Sequence, residues 1–257
     1  MKHKNNSKKI KKNMNKIGIY SIHYNRPDLI RYQYESIVKF VKDDFEFIVI
    51  DNSILPEISR EMKNQCDILG VTYKYTNNQV PHGIMTYGWS HIHGLEFFKN
   101  DVINNPVSNI LLIEHDVFLC SDFSKIRQIL SNYALCGVKQ EREHIEYVHP
   151  GIMYINKDLY DDLHNLDLRG DVRIDGVLNP DMGGISIDVG GRTYKYIINN
   201  RDKVLYIDQY VNKYLEEPDT NKHVFYHMVR GSNWIGTESE LNVKKMSYVE
   251  KFLYEND

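Results

Sequence analysis

The sequence predicts an α/β fold in which helices cover both faces of a doubly wound, mostly parallel central sheet. Short runs of large apolar residues recur and are bounded by polar residues, which is typical of strands buried in a parallel sheet. Amphipathic segments with helical spacing separate the first runs, so the order is strand, helix, strand, helix, strand. Polar residues gather where the runs end. Because right-handed crossovers bring the carboxyl ends of parallel strands to one edge, a ligand crevice is expected there.

The first strand and helix units are marked by apolar runs and by two prolines. Strands are predicted at residues 17–22 (IGIYSI), 45–50 (FEFIVI) and 71–75. Pro27 fits the first position of the helix that follows the first strand, and Pro56 starts the helix that follows the second. The first third of the chain therefore supplies three strands and two helices.

The alternation of apolar strands and amphipathic helices becomes less regular after the third strand. A polar loop at residues 76–83 precedes a predicted helix at residues 84–99 and a buried strand that begins at Asn109. Helices at 123–130 and 159–166 and strands at 134–138 and 148–156 are predicted beyond it. Residues 167–191 are rich in glycine and aspartate, and such long segments in a compact domain are usually functional or mobile. Because no internal repeat or linker is found, residues 17–257 are predicted to form one domain.

The size and charge of the chain bound the class of protein. With 257 residues and 42% hydrophobic content it can bury a sizeable core. Its net charge of -3 does not favour a nucleic-acid partner, because a polyanion would favour a basic surface. No apolar run approaches the roughly 20 residues that span a bilayer, and the chain begins without an apolar signal core. A soluble, cytoplasmic protein is expected.

Residues 1–16 form a basic segment with little to bury. The lysines of this segment are Lys2, Lys4, Lys8, Lys9, Lys11, Lys12 and Lys16. Its composition predicts a disordered, solvated arm. Weak contact with an anionic membrane surface is the functional alternative.

The cysteines point to a reducing compartment. Cys66, Cys120 and Cys136 are widely spaced and include no CxxC pair. They are predicted to be small buried hydrophobic residues, and neither a disulfide framework nor a zinc site is expected.

The most informative stretch is NILLIEHDVFLC, residues 109–120. Its apolar first half predicts a strand that ends directly in Glu114, His115 and Asp116. Two carboxylates one residue apart are costly to bury unless they meet a cation, which indicates a divalent-metal site that holds an anionic substrate. The alternative is a solvated turn after a strand.

Three polar clusters follow predicted parallel strands, at residues 21–26, 51–53 and 114–116. They are expected to converge on one crevice. There Asp51 could accept hydrogen bonds from a nucleobase or ribose, Gly83 could let backbone approach a ligand closely, and Arg26 could reach a diphosphate. Taken singly, each residue also has a structural interpretation, as a cap, a turn residue and a surface charge respectively.

Over roughly residues 17–122 the arrangement resembles glycosyltransferases of the GT-A fold. IGIYSIHYNRPDLIRYQYESI is similar to the first strand and helix of family-2-type enzymes, and FEFIVIDNS to their second strand, which ends in an aspartate. PHGIMTYGW is similar to the loop and helix before the metal motif, and NILLIEHDVFL to the segment that carries the DxD motif. Glu114 stands in place of the first aspartate. Since the last carboxylate is the more reliable ligand in this superfamily, the resemblance favours Asp116, with Glu114 acting through water or a neighbouring ligand.

The resemblance implies a nucleotide-sugar donor, with a UDP-sugar favoured and a GDP-sugar as the alternative. The residues that it assigns to the donor are Ser21, His23, Tyr24, Arg26, Asp51, His82, Gly83 and His115. It also implies Mn²⁺ or Mg²⁺, since a divalent cation on two phosphate oxygens stabilises the departing nucleoside diphosphate. Oxygen ligands with one imidazole suit manganese.

The second half, residues 123–257, is expected to supply the acceptor side, for a glycan or glycoprotein acceptor. HPGIMYIN, residues 149–156, resembles the strand after the metal motif, and His227 lies where many of these enzymes place a late histidine ligand. His223 is the rival, and a purely structural histidine is the alternative. Further along, Arg230 and Ser232 are assigned to donor phosphate, and Asn233 and Trp234 to the acceptor.

An inverting transferase needs a carboxylate base near the acceptor hydroxyl. Asp188, in SIDVGG, is the first candidate, because it is predicted to precede a helix near Val189 where glycines would admit a substrate. Asp181 and Asp175 are rivals, and a simple helix cap is the structural alternative. A retaining enzyme would need no such base.

The sequence is therefore expected to encode a metal-dependent glycosyltransferase that moves a hexosyl or pentosyl group to a hydroxyl acceptor. A sugar-phosphate nucleotidyltransferase has a similar sheet, but it requires a glycine-rich basic loop after the first strand, and SIHYNRPDL is not one. The non-enzymatic alternative is a nucleotide- or carbohydrate-binding module.

Overall fold

A seven-stranded sheet runs through the centre of the protein. The computed structural model describes residues 16–80, 87–142, 145–170, 187–213, 216–228 and 239–255. The sheet strands are β1 (Ile17–His23), β2 (Phe45–Asp51), β3 (Thr72–Tyr75), β4 (Asn109–Glu114), β6 (Leu135–Arg142), β7 (Ile145–Asn156) and β8 (Val204–Tyr206). Their spatial order is β3-β2-β1-β4-β7-β6-β8. The first four are mutually parallel, β7 is antiparallel to β4 and to β6, and β8 is parallel to β6. The predicted mostly parallel α/β sheet is confirmed.

Helices cover both faces of this sheet. They are α1 (Asp28–Phe40), α2 (Pro56–Leu69), α3 (Tyr87–Asn104), α4 (Ser124–Leu130), α5 (Tyr194–Asn199) and α6 (Ser239–Tyr254). Successive strand residues point to opposite faces, so Ile19 joins the core beneath α1 and α2, whereas Tyr20 joins the core beneath α3. None of the helices in the described ranges has the length and apolar content that a bilayer crossing requires.

A second, smaller sheet lies beside the end of β4. It is formed by β5 (Val117–Leu119), β9 (Val211–Lys213) and β10 (Phe225–His227), in the order β5-β10-β9. β5 follows β4 after a two-residue turn and pairs antiparallel with β10, placing Val117 opposite His227. The chain therefore passes from one sheet to the other at His115 and Asp116.

Most elements of the first half were predicted to within a few residues. Pro56 begins α2 as expected, whereas Pro27 precedes α1, which begins at Asp28. The three cysteines are buried, as predicted.

Two predicted helices differ from the structure. In the region 159–166 a 3-10 turn, Leu163–Asn165, is found, because the side chain of Asp162 accepts a hydrogen bond from the His164 backbone and competes with helix formation. The helix expected near Val189 begins at Gly191 as a 3-10 turn, after Gly190 adopts a left-handed φ of 80°. Asp188 is therefore not its N-cap.

Candidate metal centre

The carboxyl ends of β1, β2 and β4 lie side by side, as the sequence predicted. In the sheet register His23 pairs with Asp51, and Ile22 pairs with Glu114. The polar residues that follow these strands therefore share one edge of the sheet, the position at which open α/β sheets bind ligands.

Glu114, Asp116 and His227 form a compact group of potential ligands at this edge. One ligand atom from each lies within 4.8 Å of the others. The His227 Nε2 atom is 3.5 Å from Asp116 Oδ1 and 3.9 Å from Glu114 Oε2. β10 delivers His227 to the group because its pairing with β5 fixes the register next to the turn. His223 belongs to no such group among the described residues, so the geometry favours His227 over its rival.

The Glu114 side chain is held between α3 and β7. Its Oε1 atom is 3.3 Å from His91 Nε2. On the other side, a Cβ atom at Gly151 would lie 3.2 Å from Glu114 Oε2 and 2.9 Å from His149 Nδ1. Since only hydrogen fits there without displacing a neighbour, Gly151 leaves the space that the longer glutamate side chain occupies.

The electrostatics of this group fit a divalent cation. Burial and the nearby Asp116 carboxylate raise the pKa of Glu114 from its ordinary 4.5 to about 7, although His227 opposes the shift. Two carboxylates within 4.8 Å of each other in a largely buried site are costly without a positive partner. The donor set of two carboxylates and one imidazole suits Mn²⁺ or Mg²⁺ with further oxygen ligands. The residues present therefore fit a divalent cation.

The raised Glu114 pKa predicts opposite pH dependences for stability and for metal affinity. A carboxyl group with a raised pKa stabilises the folded state while it is protonated; this contribution is fully present below about pH 4.5 and is lost as the pH rises through about 7. The melting temperature of the metal-free protein should therefore fall as the pH rises over this range. Mn²⁺ affinity should instead rise with pH, because the carboxylate must be deprotonated to bind.

Melting curves recorded from about pH 5 to pH 8, with and without Mn²⁺, test this prediction. The control is Glu114→Gln, which should flatten both dependences because an amide does not titrate. A wild-type Mn²⁺ affinity that stays constant through pH 7 would contradict it.

Several predicted donor-binding residues have partners within the protein. Asp51 is fully buried, and its two carboxylate oxygens accept hydrogen bonds from the Ser53 backbone (2.9 Å) and the Tyr73 hydroxyl (2.7 Å). His23 is also fully buried, with Nδ1 at 3.1 Å from the Arg26 carbonyl. Burial lowers the pKa of His23 to about 3. Asp51 and His23 thus stabilise the edge of the sheet through these internal contacts, and their contact with a nucleoside stays a prediction.

The other predicted donor residues lie near the same edge. Ser21 is fully buried and its hydroxyl has no hydrogen-bond partner among the described residues. Tyr24 is buried, and Arg26 pairs with Asp28 at 2.7 Å. His115 is 7% exposed, with Nδ1 at 3.1 Å from the Ile22 carbonyl. Because that carbonyl can only accept, the His115 proton lies on Nδ1, and Nε2 keeps a lone pair with no partner in the described part of the chain.

Asp188, the predicted base, pairs with a side chain of β6. Its Oδ2 atom is 3.3 Å from Arg142 Nη2, and its Oδ1 atom accepts a hydrogen bond from the Val189 backbone. Its charge contributes to the raised pKa of Glu114, so the two carboxylates interact electrostatically. Its side chain is 43% exposed, which leaves it accessible to a substrate.

Seven predicted site residues fall outside the described residues. They are Asp181, His82, Gly83, Arg230, Ser232, Asn233 and Trp234, and the rival base Asp175 is also among the undescribed residues.

His91 is a site residue that sequence reasoning missed. Burial lowers the pKa of His91 to about 4, so it is neutral and can donate a hydrogen bond to Glu114. Its position in α3 depends on the rotation of that helix, which a buried network fixes: Asn52 Nδ2 donates to the Ser90 carbonyl, and Asn78 Nδ2 donates to Ser90 Oγ. The signal in the sequence was a polar histidine two residues after PHGIMTYGW.

No protein-family model and no curated protein matches the sequence. The structure is nevertheless similar to solved glycosyltransferases. One is the galactosyltransferase LgtC in complex with donor and acceptor sugar analogues, with a TM-score of 0.53 at 11% identity over 91% of this chain and 95% of that chain.

Two larger proteins give comparable matches. The glycosyltransferase GlyE of Streptococcus pneumoniae TIGR4 has a TM-score of 0.50 at 10% identity over 93% of this chain. The bifunctional glycosyltransferase WbbM has a TM-score of 0.51 at 10% identity over 95%. The chain spans only 62% of GlyE and 52% of WbbM. It therefore has the GT-A type fold that the resemblance predicted.

Proposed function

We propose that this protein is a metal-dependent glycosyltransferase that moves a sugar from a nucleotide-sugar donor to a hydroxyl of a glycan or glycoprotein acceptor. The observation that carries the proposal is the Glu114, Asp116 and His227 cluster at the carboxyl end of β4. In a fold shared with glycosyltransferases, this is the edge where a ligand is expected. The shared fold supports the proposal, and the ability of the cluster to bind a divalent cation carries it.

The cluster suits the diphosphate of a nucleotide sugar. Glu114, Asp116 and His227 would hold Mn²⁺ or Mg²⁺, and this cation, when bound, would stabilise the charge that develops on the departing nucleoside diphosphate. His91 would keep the Glu114 carboxylate oriented through the 3.3 Å contact. The Nε2 lone pair of His115 can accept a hydrogen bond from a donor hydroxyl such as that of a ribose.

The acceptor side would be served by Asp188. An exposed carboxylate next to the cluster can take the proton of an acceptor hydroxyl in an inverting reaction. Arg142, whose Nη2 atom is 3.3 Å from Asp188 Oδ2, would hold the carboxylate in place. A retaining reaction would leave Asp188 a binding role only.

Release of free nucleoside diphosphate tests the proposal directly. With Mn²⁺ present, purified protein is expected to liberate nucleoside diphosphate from one member of a panel of UDP-, GDP- and dTDP-sugars, with UDP-sugars favoured. No nucleoside diphosphate should be released from the same panel when EDTA is present. The productive donor at about 100 times its dissociation constant should stabilise the folded protein by roughly 2.7 kcal/mol in a thermal-shift assay.

The outcomes separate the competing functions. Donor-induced stabilisation without release, even with candidate acceptors added, would support a binding module. Release of pyrophosphate from a sugar phosphate and a nucleoside triphosphate would support a nucleotidyltransferase. Neither stabilisation nor release with any donor would overturn the proposed function.

A further inference from the structure

A buried glutamine in α1 spans the turn that carries the metal cluster. Gln33 is fully buried, and its Nε2 atom donates hydrogen bonds to the carbonyl oxygens of Glu114 (2.7 Å) and Val117 (2.9 Å). These two carbonyls lie at the two ends of the turn formed by His115 and Asp116. One side chain therefore fixes the separation of the strands that the turn connects.

The orientation of the Gln33 amide is determined by its surroundings. Both Nε2 hydrogens are used by carbonyl groups, which can only accept. The Oε1 atom then faces His23 Nε2 at 3.0 Å, and it accepts a hydrogen bond in the tautomer that carries the single ring proton of the neutral, fully buried His23 on Nε2. Each polar group of the amide thus has a partner, and flipping the amide would set it against both carbonyls. The two carbonyl groups therefore hold the Gln33 amide in a single orientation.

The position of Gln33 on its helix is unusual for a polar residue. Ile30 and Ile37, which lie three residues before and four residues after it, are fully buried on the same face of α1. The neighbouring Ser36 is buried too, but its hydroxyl oxygen accepts a hydrogen bond from the Leu119 backbone, which lies beyond the turn. The hydrophobic pattern of the helix alone predicts an apolar residue at position 33. The hydrogen bonds of the amide across the turn explain why a glutamine is found there.

We infer that Gln33 is a positioning residue whose side-chain amide sets the geometry of the Glu114 and Asp116 ligands and thereby the affinity for the divalent cation. The inference rests on the proposed metal-dependent function and adds a residue to it. Gln33 is fully buried, so it acts through the turn and makes no contact with substrate. Partners that orient metal ligands typically contribute about 10- to 100-fold to metal affinity.

The test compares Mn²⁺ binding by wild type, Gln33→Met and Ser36→Ala, using titration calorimetry and melting curves with and without Mn²⁺. Methionine matches the length of glutamine but donates no hydrogen bond. Gln33→Met is expected to bind Mn²⁺ about 10- to 100-fold more weakly and to lose most of the Mn²⁺-induced rise in melting temperature. Ser36→Ala, the matched control on the same buried face, should keep the wild-type affinity.

The results distinguish this inference from the function on which it rests. A merely structural role for Gln33 would lower the melting temperature equally with and without Mn²⁺ and leave the affinity unchanged, which would overturn the inference alone. Failure of the wild-type protein to bind Mn²⁺ would overturn both it and the proposed metal dependence.

A measurement on the wild-type protein applies if Gln33→Met does not fold. The Gln33 side-chain amide protons should exchange slowly with solvent and shift in NMR spectra when diamagnetic Mg²⁺ is added. Rapid exchange, or resonances that do not respond to Mg²⁺ at saturating concentration, would overturn the inference.

Discussion

Replacing Asp116 with alanine is expected to abolish measurable Mn²⁺ binding and to slow nucleoside diphosphate release by roughly a hundredfold or more. Asp116 is only 3% exposed, and its Oδ1 atom lies 3.5 Å from His227 Nε2. Without Asp116 the cation that would stabilise the developing negative charge is no longer held, and loss of one such electrostatic interaction typically costs about 3 kcal/mol, which corresponds to roughly two orders of magnitude in rate.

The same replacement should not unfold the protein. Asp116 raises the pKa of Glu114, so its removal relieves a repulsion between buried carboxylates, and Glu114 should titrate closer to its ordinary value. The melting temperature of the metal-free variant should therefore be maintained. Asp67→Ala is the matched control, because Asp67 is an exposed acid that pairs with Lys63 on α2. Full activity of the Asp116 variant in Mn²⁺ would contradict the proposed role of the cluster.

Replacing Phe225 with alanine is expected to cost about 3–5 kcal/mol of unfolding free energy. Phe225 is fully buried in β10 and packs edge to face against Phe123, with ring centroids 6.2 Å apart. A loss of this size is a large fraction of the 5–15 kcal/mol that typically stabilises a folded protein. Because β10 also carries His227, the Mn²⁺-induced stabilisation should fall as well.

Urea unfolding followed by fluorescence or circular dichroism measures this effect. Ile198→Ala provides the control, since Ile198 is 71% exposed and its truncation should change the free energy of unfolding by no more than about 0.5 kcal/mol. A cost below about 1 kcal/mol for Phe225→Ala would mean that β10 is not a well-packed part of the core.

The parts of the fold that could be predicted are those governed by local sequence. β1 is buried along its whole length and β2 over its last five residues, so each is a mostly apolar run in the sequence and was located to within one residue. The convergence of Glu114 and Asp116 with the other strand ends followed from the parallel order of the strands. Such features need no knowledge of contacts between distant segments.

The parts that could not be predicted depend on packing between distant segments. Whether Asp51 faces a ligand or a partner depends on the Tyr73 hydroxyl, which reaches it from the neighbouring strand. The contact between His91 and Glu114 depends on the rotation of α3 against the sheet. The local sequence shows Gln33 only as a polar residue on an apolar helix face, and does not indicate that it binds the Glu114 carbonyl. In each case the partner is distant along the chain.

The division of the ligands between two sheets has a consequence for cooperativity. Glu114 ends a strand of the central sheet, whereas His227 ends a strand of the small sheet. A cation held by both would act as a cross-link between segments that are far apart in sequence, and closing such a long loop is where a metal clip contributes most. Removal of the cation by a chelator would therefore destabilise the small sheet first. Binding of the cation would make the two sheets unfold together.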